Sequence, residues 1–176
     1  MRMQLIGKEG SAILCRLLAC LVAAGLIIAW PAFGEEQKTI GAQDQAIHDA
    51  ARMGTAGDVQ KILKSTPRER DAANAHGSQP IHFAAYNADP GALKTLIAAG
   101  ANPNARDIDG LTPLHMAVFA RNAENTRRLL EAGADPRAKD KMGRDALAIA
   151  HEVMANDAAG VISLWILKGC QPKKPC

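Results

Sequence analysis

The sequence predicts an all-α solenoid of about four stacked helix–turn–helix units with projecting β-turn or hairpin loops. Three observations carry that expectation. Gly77, Gly110 and Gly143 are evenly spaced, and Gly100 and Gly133 repeat the interval at a second phase, a period of about 33 residues that suits a repeat array. The phrases QPIHFAA (Gln79–Ala85), TPLHMAV (Thr112–Val118) and DALAIAH (Asp145–His151) align on that period. Aromatic residues make up only 3% of the 176-residue chain while alanine abounds, and a core of small side chains suits closely packed helices better than a sheet sandwich.

In chain order, the first element is an N-terminal segment, residues 1–34. Arg2, Lys8 and Arg16 precede an uncharged run, Leu17–Ala29, and Pro31 with Ala32-Phe33-Gly34 then supplies a helix stop and a small-x-small cleavage signal. This is the layout of a secretory signal, with cleavage expected after Gly34. A membrane span needs about 20 apolar residues, so a retained anchor is the alternative, reached only if the run extends to Phe33. Leu17-Leu18-Ala19-Cys20 fails as a lipid-acceptor box because the apolar stretch follows Cys20 instead of preceding it. Removing residues 1–34 takes away three basic residues and one acidic residue, which leaves 35–176 with one basic residue in excess. No basic balance argues for nucleic acid.

Residues 35–42 read as a linker, 43–172 as the repeat domain and 173–176 as a tail. The units fall at about 43–75, 76–108, 109–141 and 142–172. The first carries AIHDAAR (Ala46–Arg52), one place further from the second copy than the period requires, which implies a one-residue insertion. In the third, Thr112 can cap a helix and Pro113 suits the first helical position. Leu114, Ala117 and Val118 then form one apolar face. Small alanines at 51, 84, 117 and 150 permit close helix approach. The second helix, Glu124 to Ala132, presents Leu129 and Leu130, and Gly133 terminates it in a left-handed conformation. A polar turn, ADPRAKDKMG, follows. In the fourth unit Gly169 lies three places further from Gly133 than the period requires, which puts an insertion around Ala155–Asp157. One helix pair cannot bury its own apolar face, whereas stacked neighbours can.

Thr112-Pro113-Leu114-His115-Met116-Ala117, the period and the turns at Gly100-Ala101-Asn102 and Gly133-Ala134-Asp135 together resemble the ankyrin repeat, whose signature is T-P-L-H-x-A on a period of about 33 residues. The resemblance covers about Gln43 to Gly169. It departs from the pattern in the first unit, which lacks Thr-Pro, and in the fourth, where Asp145-Ala146 and Ala148 replace Thr-Pro and the histidine. It implies that His48, His82 and His115 hydrogen-bond within and between repeats to order the turns. Recurrence once per unit argues against catalysis, and metal ligands would have to converge within ~2 Å of one ion. His76 and His151 fall outside the series. No nucleophile elbow, H-E-x-x-H or phosphate loop is present, and Asp107 with Asp109 suits ordinary turn chemistry. No enzyme activity, cofactor or metal is therefore expected.

The resemblance also implies where a partner binds, namely the turn tips and the exposed side of each first helix. Those positions are Arg52 and Met53 in the first unit, and His76, Ser78, Tyr86 and Asn87 in the second. They are Ile108, Asp109, Leu111, Phe119 and Ala120 in the third, and Lys141, Met142, Arg144, Glu152 and Val153 in the fourth. Tyr86 and Phe119 are expected to neighbour each other on the concave face as aromatic anchors. The expected function is a non-enzymatic protein-binding module acting after export, with an inhibitor, immunity or assembly role. The expected partner is another protein, with no nucleic acid, no small-molecule substrate and a monomer otherwise. The location is the periplasm first and the secreted fraction second. The alternative is a membrane-tethered scaffold that keeps its N-terminal anchor. Cys170 and Cys176 survive cleavage, and an oxidising compartment favours a disulfide over two free thiols. Val161–Gly169 (VISLWILKG) is unexpectedly apolar for a terminal helix. Trp165 is expected to face the core, with a folded-back tail or a docked partner as alternatives.

Overall fold

The computed structural model describes residues 45–171, all within one compact unit. The N-terminal segment, the linker and Cys176 lie outside the described residues. Eight α-helices are present among them: α1 (Ala46–Met53), α2 (Ala56–Ser65), α3 (Pro80–Tyr86), α4 (Pro90–Ala98), α5 (Pro113–Phe119), α6 (Ala123–Ala132), α7 (Ala146–Glu152) and α8 (Asn156–Leu167). A 3-10 turn spans Pro67–Asp71, and no strand is present among the described residues. None of these helices is long and apolar enough to cross a membrane. The odd-numbered helices pack on one another in one layer and the even-numbered helices in a second.

The core lies between the layers. Ile47, Ile81, Leu114 and Ile149 come from the odd helices, and Leu93, Leu96, Leu129, Leu130 and Ile162 from the even ones, all at 0% exposure. Each such side chain contributes roughly 1.5–3 kcal/mol by leaving water. Ala51, Ala84, Ala117 and Ala150 are also fully buried, which is what allows the odd helices to close on one another.

Both irregular units differ from the regular period at definite places. In the first, the extra residue falls in Pro67–Asp71, where a 3-10 turn replaces the glycine-terminated end seen in α4 and α6. In the fourth, the three extra residues do not lengthen the α7–α8 connection as expected. Arg121 and Met154, each at φ 54°, occupy matching places in the two inter-helix loops. The addition lengthens α8 to 12 residues against 10 in α6, because nearly one turn of helix absorbs it without disturbing the loop. Counted from the helix start, Ile162 takes the place of Leu129. Counted back from the glycine, Trp165 does, since the amide of Cys170 bonds the Trp165 carbonyl (3.2 Å) as that of Ala134 bonds Leu129 (2.9 Å). Both side chains face the core, Trp165 at 8% exposure.

The histidine series builds the starts of three odd helices. The backbone N–H groups of Gln45, Gln79 and Thr112 donate to Nδ1 of His48 (2.9 Å), His82 (3.0 Å) and His115 (3.0 Å). That fixes the neutral tautomer with its proton on Nε2. His48 Nε2 then donates to the Ala72 carbonyl at 2.9 Å, and His82 Nε2 to those of Ala105 (3.2 Å) and Leu111 (3.3 Å). His115 Nε2 faces the Ala138 and Arg144 carbonyls outside strict hydrogen-bond geometry. In the fourth unit Asp145 caps α7 instead, its carboxylate accepting from the Ala148 amide at 2.8 Å.

Candidate functional site

Each hairpin tip is closed by one side chain. Asn74 Oδ1 accepts from the amides of His76 (2.9 Å) and Ser78 (3.0 Å), Asp107 Oδ1 from those of Asp109 (2.9 Å) and Leu111 (2.8 Å), and Asp140 Oδ1 from those of Met142 and Arg144 (both 2.9 Å). Gly110 in the middle tip takes φ +76°, which favours glycine because an L side chain there meets its own carbonyl. Consecutive tips are laddered by the backbone, Ile108 N–H to the His76 carbonyl and Lys141 N–H to the Asp109 carbonyl, both at 2.9 Å. Side chains between these fixed points are left outward, and Ile108 (49%) and Met142 (75%) are the large apolar residues exposed there.

The odd helices add a second row. Met53 is 81% exposed and Tyr86 52%, while Phe119 and Ala120 are half-buried, Phe119 against the core. Tyr86 and Phe119, expected as neighbouring anchors, form no ring contact; the described ring contact is edge-on between His48 and Phe83, with centroids 5.5 Å apart. Arg52 lays its guanidinium 4.4 Å from the centre of the same Phe83 ring. Phe83 floors a hollow of about 430 Å³ walled by Arg52, Asn74, His76, Ser78, Asp107 and Asp109. The signal for Phe83 was its place three residues before Tyr86, which puts both rings on one helix face.

Other expected contact residues are already engaged. The Asn87 amide donates to the carbonyls of Ala51 (3.2 Å) and Gly54 (3.4 Å), so its side chain ties α3 to the preceding unit. Asn122 and Asn125 extend this device, each donating to the Asn87 carbonyl (3.2 and 2.8 Å), and Asn125 also to Ala85 (3.1 Å). Arg144 pairs with the Asp140 carboxylate (2.8 Å) and with Glu152 (2.9 Å). Burial alone would raise the Asp140 carboxyl, but the Arg144 amide and guanidinium outweigh it and hold it below the usual range. Burial lowers both His82 and His115, against smaller upward pulls from Asp107 and Asp140 respectively. Cys170 is half-buried beside Trp165, and Cys176 lies outside the described residues. Among the described residues no group of three or more His, Cys, Asp or Glu could hold a metal ion.

The site is thus a surface of outward side chains on a rigid hydrogen-bonded frame. A family model described as "Ankyrin repeats (3 copies)" matches residues 47–140 and also 81–162. No curated protein matches the chain.

Proposed function

The chain belongs to the ankyrin-repeat family, and we propose on that premise that it holds a partner protein with its tips and odd-helix face. Ankyrin repeats generally serve as protein-interaction modules and typically bind without catalysing. The supporting observation is the placement of exposed apolar side chains. Met53, Tyr86, Ile108 and Met142 lie at those positions, between 49% and 81% exposed. Large side chains left in water on a rigid frame are typical anchors for a complementary partner, because their ordering costs little on binding.

The partner is to be captured from the exported fraction with the chain as bait and identified by mass spectrometry. Tyr86→Ala with Ile108→Ala should then weaken the measured Kd by at least ~10-fold while leaving the circular dichroism unchanged. An unaltered Kd would remove the reading.

The role acts after export, in the periplasm or the secreted fraction, as inhibitor, immunity protein or assembly factor. Residues 1–34 support export by their signal-like layout. We assign Cys170 and Cys176 as a disulfide closing the CQPKKPC tail, a pairing that an oxidising compartment favours. A mass beginning at Glu35 supports export with cleavage. One beginning at Met1 would overturn cleavage and favour the tethered scaffold. Peptide mapping without reduction would reveal a different cysteine partner.

A further inference from the structure

The outward face of α8 is not used by the surface described above. On α6 the matching face is solvated by charge: Glu124 pairs with Arg127 (2.6 Å) and Arg128 (2.5 Å), and Arg127 with Glu131 (3.0 Å). One period further on, α8 has Asp157, Gly160, Val161 and Leu164 at those four places. Both arginines and the second glutamate are gone, and only one acid remains. Leu164 is 52% and Leu167 82% exposed. A side-chain carbon at Gly160 would meet nothing within 4 Å, so another backbone has room to approach there.

The face is also its own complement. Asp157, Val161, Leu164 and Lys168 stand at i, i+4, i+7 and i+11, which at about 3.6 residues per turn keeps all four within about 60° of one another. Neither Asp157 nor Lys168 is in an ion pair among the described residues. Reversed end for end, the stripe sets Asp157 against Lys168 and Val161 against Leu164, twice. A parallel pairing would instead oppose like charges. Residues 172–176, PKKPC, carry no large apolar side chain.

We infer that α8 is a two-fold, antiparallel interface between two copies of this chain, with the axis passing between Ile162 and Ser163. The same patch on both copies meets itself, as a closed two-fold contact requires. The helix is only about 18 Å long, so the dimer is reversible and concentration-dependent, at the small end of specific interfaces. It leaves the tips and odd helices free for a partner protein.

The test is sedimentation equilibrium on the full chain and on Asp157→Lys, Lys168→Asp, the double reversal and Leu164→Glu, with circular dichroism confirming that each folds. The unaltered chain should form a reversible dimer. Each single reversal should raise the dimer Kd by about 10-fold, the double reversal should return it to within about 3-fold, and Leu164→Glu should abolish the dimer. A chain that stays monomeric across the concentration range overturns the inference. So does an association indifferent to these changes, which would place the contact elsewhere, such as in the N-terminal apolar segment.

Discussion

Mild acid is expected to loosen the repeat stack through two buried rings. His82 and His115 are 1% and 0% exposed, and each accepts a backbone N–H on Nδ1, at 3.0 Å in both cases. A proton on Nδ1 would turn that acceptor into a donor facing a donor. Burial already lowers both groups below the ordinary histidine value. The unfolded chain therefore takes up protons near pH ~6.5 while the folded chain does not. Their contribution is fully present above that pH and is lost as pH falls below it, until the folded rings also titrate. Each ring held neutral removes up to about 1.36 kcal/mol per pH unit, so the two together remove up to about 2.7 kcal/mol per unit. With a urea slope of roughly 1–3 kcal/mol/M, the unfolding midpoint should fall as pH drops below ~6.5, by at most about 1–3 M per unit. The depressed carboxyls, Asp58, Glu124 and Asp140, act in the same direction but only near and below pH ~4. Urea titrations between pH ~7.5 and ~5 would read the histidine window alone. A midpoint flat across it, with reversible two-state unfolding, would refute the assignment of these rings as neutral acceptors of the Gln79 and Thr112 amides.

Three further perturbations test the frame. Asn125→Ala should cost about 1–3 kcal/mol in chemical unfolding, since it strips a fully buried donor from the Ala85 and Asn87 carbonyls; a cost near zero would show that the asparagine series is incidental. Gly110→Ala should be more damaging than Gly143→Ala, because both have positive φ but only the first places a new carbon 3.2 Å from Arg106 Nη1 and 3.3 Å from the Lys141 amide. The left-handed conformation alone costs about 1–2 kcal/mol, so equal melting temperatures for the two variants would contradict the geometry. Asp140→Asn keeps an acceptor for the two tip amides but removes the charge that pairs with Arg144. It should destabilise the fourth unit by about 1–3 kcal/mol, read as faster amide exchange at Met142 and Arg144 while the first two tips are unaffected.

Much of the frame was legible because it repeats. The Thr-Pro-Leu-His phrase fixed the start of α5, and the period carried it to α3, where Gln79 and Pro80 do the same service. What failed was the position of the three extra residues. Sequence spacing cannot distinguish a longer loop from a longer helix when the insertion is nearly one turn, and the apolar content of VISLWIL favours the helix only once its packing is known. The contact residues were legible as positions but not as roles. Asn87 sits in a variable place of the repeat, yet its amide reaches back to Ala51 and Gly54, a contact a full period or more away that local pattern does not encode. Phe83 was passed over because its place in the next unit is taken by Met116, a substitution that looks like ordinary core variation.

The tips explain why the fold is readable and the partner is not. Asn74, Asp107 and Asp140 each hold two amides of their own turn, and the ladder from Ile108 to His76 and from Lys141 to Asp109 uses only backbone atoms. The turn therefore keeps its shape whatever side chain other than proline stands at 76, 108, 109, 141 or 142. Residues free to vary without disturbing the frame are also the ones that point away from it. Selection for a partner can act on them alone, and no periodic constraint records its result. Arg144 is the counterexample that sharpens the rule: its side chain is drawn into the frame by Asp140 and Glu152. At that tip the chain gives up one variable position to brace the unit whose α8 face is the one stripped of charge.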